Sequence, residues 1–252
     1  MIRILHISDF HLTRTGTSIW GSDVKRNFDY ALSRIEKVKN DIDAIFITGD
    51  LSNDGSIECY EYIDRAFRRI GVPTYYCPGN HDNLENMDSV FSHGYIASHF
   101  VVPIANWKFI ILNSVVQDPE ESGRNKARGW LSSTSLLQLE DAIKSDSKCT
   151  AIILHHPPIE PGGWLNRQLL DNRESFNSII RKYEQVKLVL FGHTHYYQQI
   201  IQDGVLYIGA SSVGFAFDKE LPKFQIAHGK ESYNDILLED VKILVRNVLI
   251  SY

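Results

Sequence analysis

The chain has 252 residues, of which 43% are hydrophobic and 23% charged, the balance of a folded globular protein and not of a disordered one. Its 26 basic and 31 acidic side chains leave a net charge of −5, which excludes a global positive field for nucleic acid or anionic membrane, so a small anionic substrate must be held locally. Cys59, Cys77 and Cys149 are widely spaced with no CxxC pair, as expected of reduced thiols in a cytoplasmic protein, and no run of about 18 apolar residues suggests a membrane span.

In chain order, residues 2–8 read as a strand that ends in Asp9, Phe10 and His11. Side chains two apart on an extended segment share a face, so Asp9 and His11 can turn toward one ion, although Asp9 could equally cap a turn. An amphipathic helix is predicted over 23–39 from the spacing of Val24, Phe28, Ala31, Ile35 and Val38. The strand over 44–48 runs into Gly49 and Asp50, a carboxylate with two oxygens, enough to bridge two cations; a turn-forming Gly-Asp is the plainer alternative. A helix over 57–70, whose Arg65, Arg68 and Arg69 read as a solvated face, precedes a strand over 72–77 that leads to Gly79, Asn80, His81 and Asp82. The Asn80 carbonyl is a neutral, weak ligand suited to labile coordination, His81 points the other way, toward a substrate, and Asp82 could hold the His81 tautomer.

A short helix is expected over 86–97, a hairpin over 100–112 with Pro103 on an edge strand, a polar loop over 117–129 and a helix from Ser132 or Ser133 to 144. The strand over 150–154 closes with His155, His156, Pro157 and Pro158. We assign His155 as the ligand by its position after the strand and His156 as a supporting or structural group. A helix at 172–184 and a strand at 187–191 then lead to Gly192, His193, Thr194 and His195. Two imidazoles two apart on a glycine-opened turn can reach separate metals. Strands follow near 197–202, 205–210, 224–228, 233–238 and 241–250, with hairpin turns at Asp203–Gly204 and Glu239–Asp240. His6 reads as a core or supporting group, and His93, His99 and His228 fall in no motif. The pattern predicts a single domain, 1–252, with 197–252 as its β-rich C-terminal part.

Taken together, DxH, GD, GNHD, HHPP and GHTH, each at a strand exit, place metal-type ligands at one edge of a sheet. In these five blocks, spanning Asp9 to His195 and about three quarters of the chain, the sequence resembles the calcineurin-like metallophosphoesterase superfamily, and within it the bacterial class III cyclic nucleotide phosphodiesterases and the related glycerophosphodiesterases. The resemblance implies a four-layer α/β/β/α sandwich of two mixed sheets with a dinuclear metal site at the strand ends. It implies one ion on Asp9, His11, Asp50 and His195 and a second on Asp50, Asn80, His155 and His193, with Asp50 bridging and His81 on the phosphate.

Nitrogen and oxygen ligands without thiolate fit two divalent or mixed-valence ions of iron, manganese or zinc. The function expected is hydrolysis of a small phosphodiester, a 3′,5′-cyclic nucleotide such as cyclic AMP leading, by in-line attack of a metal-bridging hydroxide. A phosphomonoesterase or nuclease on the same centre, and a catalytically silent partner-binding module, are the alternatives. No nucleic acid or membrane partner is expected, and the resemblance leaves a homodimer open. Specificity is expected from the 159–172 loop, the 13–22 segment with Arg14 and Trp20, and the tail after Gly209.

Overall fold

A computed structural model of the chain describes residues 1–115, 127–220 and 223–250. The first half runs β1 (Ile2–Ile7), α1 (Val24–Glu36), β2 (Ala44–Thr48), α2 (Ile57–Ile70), β3 (Thr74–Cys77) and α3 (Leu84–Phe91). The second half contains β4 (Val101–Ile104), β5 (Trp107–Ile111), α4 (Ser133–Lys144), β6 (Cys149–Ile153), α5 (Arg173–Ile180) and β7 (Val186–Phe191). Four strands complete it: β8 (Gln198–Gln202), β9 (Val205–Gly209), β10 (Ser232–Glu239) and β11 (Lys242–Leu249).

The strands form two mixed sheets, ordered β11-β10-β1-β2-β3 and β4-β5-β6-β7-β9-β8. Their inner strands are continuous apolar runs because both faces are buried. Ile4 and Phe46 face Phe109, Ile153 and Leu190 in the core between the sheets. Their neighbours Leu5, Ile45 and Ile47 pack outward on Phe28, Ile35, Ile63 and Phe67 of α1 and α2, and Ile110, Ile152 and Val189 pack on Leu139, Ile143 and Phe176 of α4 and α5. The result is the expected α/β/β/α sandwich. β1, β2 and β3 are mutually parallel, as are β5, β6 and β7. Within each sheet, therefore, the carboxyl ends of these strands lie along one edge.

Local signals explain the helix limits. The Asp23 side chain caps α1 by accepting from Arg26 N, and α2 stops where Gly71 turns left-handed at φ 76°. β4 with Pro103 is an edge strand paired only to β5, as expected. Three expectations are corrected. The helix over 86–97 is only Leu84–Phe91, because the Asp64 carboxylate draws in the Tyr95 and Ile96 N–H groups and the segment then bridges Tyr75 through Ala97. No strand forms over 224–228, where a single bridge joins Phe217 to Ile226 while the Phe224 ring packs on Trp20 and Phe217. The last hairpin turns at Asp240 and Val241, since Glu239 still pairs with Lys242. The part of the 117–129 loop at 117–126 lies outside the described residues. Among those described, no helix is long and apolar enough to cross a membrane.

Phe46 is fully buried and stacks on Phe109 of the opposite sheet, with ring centroids 4.5 Å apart. Phe46→Ala is expected to destabilise the fold by about 3–5 kcal/mol, the usual cost of emptying a buried aromatic site. A urea titration reading a midpoint within error of the parent would show that the two sheets do not depend on this contact.

Candidate metal centre

Five strands deliver polar residues to this edge, and the backbone there is unusual. Asp9, His11, Asp50, His193 and His195 have φ between 48° and 67°, a region that side chains other than glycine visit at a cost. Hydrogen bonds between neighbouring exits hold them there: Asp9 N donates to Gly49 O at 3.0 Å, and His11 N to Asp50 O at 3.0 Å. His193 N donates to both oxygens of Asp9, at 3.2 and 3.1 Å. Glycines permit the crowding. A Cβ on Gly79 would lie 2.2 Å from Asp50 N and Oδ1, and one on Gly192 would lie 2.2 Å from Ser8 Oγ.

Two groups of ligand atoms result. Those of Asp9, His11, Asp50 and His195 all lie within 4.8 Å of one another, and all four residues are buried. The other gathers at His155 Nε2, which is 3.5 Å from Asp50 Oδ2, 3.1 Å from Asn80 Oδ1 and 3.2 Å from His193 Nδ1. Asp50 belongs to both. Its Oδ2 is 3.5 Å from His11 Nε2 as well, while its Oδ1 accepts from His81 N at 2.8 Å.

The tautomers show what the site lacks. His195 Nδ1 and His155 Nδ1 face the backbone carbonyls of Phe215 at 2.9 Å and Thr48 at 2.6 Å. A carbonyl only accepts, so each Nδ1 carries a proton and each ring turns its Nε2, the nitrogen that can bind an ion, toward the centre. His11 Nδ1 is held likewise by Asn53 Oδ1 at 3.2 Å, so His11 Nε2 and His195 Nε2 oppose their lone pairs 3.1 Å apart. Two such nitrogens beside two buried carboxylates call for positive charge between them, a proton or a metal ion, and the donor set fits a metal ion.

The titration of the metal-free groups agrees. Burial alone would raise the carboxyls, but His195 holds Asp9 below the usual carboxylate range and His155 and His11 hold Asp50 well below it. Burial pushes His11 down to about 3 and His193 well below its ordinary value. Burial also opposes charge on His155, yet Asp50 and Asp9 raise it to about 9.

The structure also places the remaining candidates. His81 is exposed at the rim, its ring 4.8 Å from that of His11. Asp82 does not orient it: its carboxylate accepts from Leu51 N, Ser52 N, Gly79 N and the Tyr60 hydroxyl, and none of these bonds reaches the His81 ring. Asp82 instead ties the Asp50 and Asn80 loops together. Burial and the charge of Asp50 push its carboxyl up to about 7.

A ring nitrogen of His156 also lies within 4.8 Å of ligand atoms of His155 and His193; its Nδ1 is 2.8 Å from Ser114 Oγ, its Nε2 has no partner among the described residues, and its ring is 4.9 Å from that of His193. His6 is a core group between Thr48 and Asn234. His93, His99 and His228 are exposed, and none lines the cavity described next. Asn53, which fixes the His11 tautomer, had no signal in the sequence beyond lying three residues after Asp50.

A cavity of about 430 Å³ opens over the centre, lined on one side by His11, Asp50, Asn80, His81, His193 and His195. The model of the calcineurin-like phosphoesterase family matches residues 2–197. The chain belongs to the calcineurin-like phosphoesterase family. Within the family it is 34% identical over 237 residues to a 3′,5′-cyclic-nucleotide phosphodiesterase of Nostoc sp., covering 89% of this chain and 86% of that one. It is 28% identical over 242 residues to the 3′,5′-cyclic adenosine monophosphate phosphodiesterase CpdA of Vibrio vulnificus, covering 94% and 85% of the two chains. A solved dimetal phosphatase of Danio rerio shares the fold with a TM-score of 0.71 at 15% identity, over 100% of this phosphoesterase and 99% of that chain. This family member is thus a metal-binding hydrolase of phosphate esters.

Because the folded ligand set holds cations and the unfolded chain does not, metal must raise stability. Adding manganese to chelator-stripped protein at about 100 times its dissociation constant should contribute roughly 2.7 kcal/mol, read as a concentration-dependent rise in Tm that Asp50→Ala removes. A Tm indifferent to manganese would contradict the site.

Proposed function

We propose that the chain is a metal-dependent phosphodiesterase acting on a small diester, a 3′,5′-cyclic nucleotide such as cyclic AMP. In this reading one ion is held by Asp9, His11, Asp50 and His195 and the other by Asp50, Asn80, His155 and His193. The observation that supports it most is the sharing of Asp50 between two groups of inward-facing lone pairs beneath an open cavity. The names of the Nostoc and Vibrio relatives support the substrate class.

When bound, the two ions would supply a nucleophilic water at neutral pH and neutralise charge on the phosphoryl oxygens. The chain's own residues do the rest. The carbonyls of Thr48 and Phe215 keep the protons of His155 and His195 on Nδ1, away from the centre. The His81 backbone is pinned to Asp50 Oδ1, so its ring stays at the rim beside Asn80. There His81 donates a hydrogen bond to a phosphoryl oxygen or a proton to the departing alkoxide. Asp82 sets the distance between the Asp50 and Asn80 loops and does not touch substrate. His156 packs its ring beside that of His193, 4.9 Å between centroids.

With manganese, the protein is expected to hydrolyse both cyclic AMP and bis(p-nitrophenyl) phosphate, and Asn80→Ala or His193→Ala to bring both to background. His81→Ala should retain its metal while losing about 10²–10⁴ in kcat, the range for a positioned proton donor. Hydrolysis of the model diester without cyclic AMP would move the substrate elsewhere, and full turnover in His193→Ala would overturn the centre itself.

A further inference from the structure

Part of the cavity lining is aromatic. Trp20, Trp164, Phe215, Phe217 and Phe224 line it, brought together from three separate stretches of chain. The wall begins at a metal-ligand candidate: the Phe217 ring stacks on His195 at 4.4 Å with 9° between planes. It continues through Phe224, 5.1 Å from Phe217, to Trp20, 4.6 Å from Phe224 and 5.0 Å from Phe215.

Trp20 is held in an uncommon way. Ile19 N donates to Ser22 O at 3.0 Å and Ser22 N to Ile19 O at 2.9 Å, so Trp20 and Gly21 form a two-residue turn, with φ 48° and 83°. A turn with two positive φ values favours Asn-Gly, and a tryptophan at its first position goes against the local preference. Such a departure points to a role outside the turn. Trp20 is 57% exposed although its side chain is one of the largest apolar groups in the chain, and Phe224 beside it is 42% exposed.

We propose that this wall, with Trp20 at its edge, is a nucleobase subsite continuous with the metal centre, which stacks the base of a nucleotide. This rests on the phosphodiesterase reading and adds to it the residues that hold the base of the nucleotide. Planar π-faces with few hydrogen bonds suit a heteroaromatic ring, while a glycerol arm has no face to stack and would leave the exposed Trp20 and Phe224 rings wet.

The test is calorimetric titration of the manganese-loaded protein with 5′-AMP and with ribose 5-phosphate, which differ by the base alone. The parent should bind 5′-AMP about tenfold or more tightly than ribose 5-phosphate, the scale of one base stacked on an aromatic ring. Trp20→Asn deletes the ring while giving the turn its preferred residue, so its unfolding midpoint should not fall below the parent's and its ratio of affinities should drop toward one. Trp20→Phe should restore most of the ratio. A parent ratio near one, absence of binding by either ligand, or an unaltered ratio in Trp20→Asn overturns the subsite. Hydrolysis of bis(p-nitrophenyl) phosphate by the same preparation reports separately on the diesterase reading, which survives a failed subsite if that turnover is present.

Discussion

Two carboxylates buried at neighbouring strand exits set the terms for this end of the molecule. Asp9 and Asp50 are almost inaccessible to solvent, and burying two charges so close is costly unless opposite charge is supplied. The protein supplies part of it as backbone N–H groups, from His193 to Asp9 and from His81 to Asp50. The imidazoles that complete the surroundings turn Nε2 inward, because carbonyls hold the Nδ1 protons of His155 and His195 on the outer side. What remains is a negative, lone-pair-lined space shared between two sheets. Cations answer it, and with it the requirement for a centre that binds phosphate.

The sandwich makes that arrangement rigid. Asp9, Asp50 and Asn80 follow strands of one sheet, and His155 and His193 follow strands of the other, so the core of Ile4, Phe46, Phe109 and Leu190 between the sheets fixes the distance across the centre. Left-handed backbone at five ligand candidates aims side chains that a regular strand end would direct elsewhere. Loops and turns do the opposite kind of work. The Trp20 turn, the 163–167 segment with Trp164 and the tail with Phe215, Phe217 and Phe224 surround the cavity without carrying metal ligands, the usual division between a fixed reactive centre and variable recognition.

Much of this was legible in the sequence, for a physical reason. Buried parallel strands read as unbroken apolar runs, so polar residues such as GNHD and GHTH that interrupt them stand out at strand ends, where parallel sheets place their sites. What was not legible depends on partners distant in the chain. Asp82, next to His81, reads as its partner, yet it is claimed by amides of residues 51, 52 and 79. The end of α3 is decided by Asp64, and the 224–228 run forgoes a strand because Phe224 finds an aromatic cluster. Arg14, expected near the substrate, pairs with Glu58 instead, whereas Trp20 from the same segment does line the cavity. The Trp20 turn lacked the Asn-Gly signature by which such turns are read.

The claim on which everything else rests is that two cations share Asp50. Anomalous scattering from crystals of the manganese-loaded protein tests it without reference to activity. The account predicts two manganese peaks, one among Asp9, His11, Asp50 and His195 and the other among Asp50, Asn80, His155 and His193. A single peak, or two peaks with Asp50 bound to only one, would contradict it.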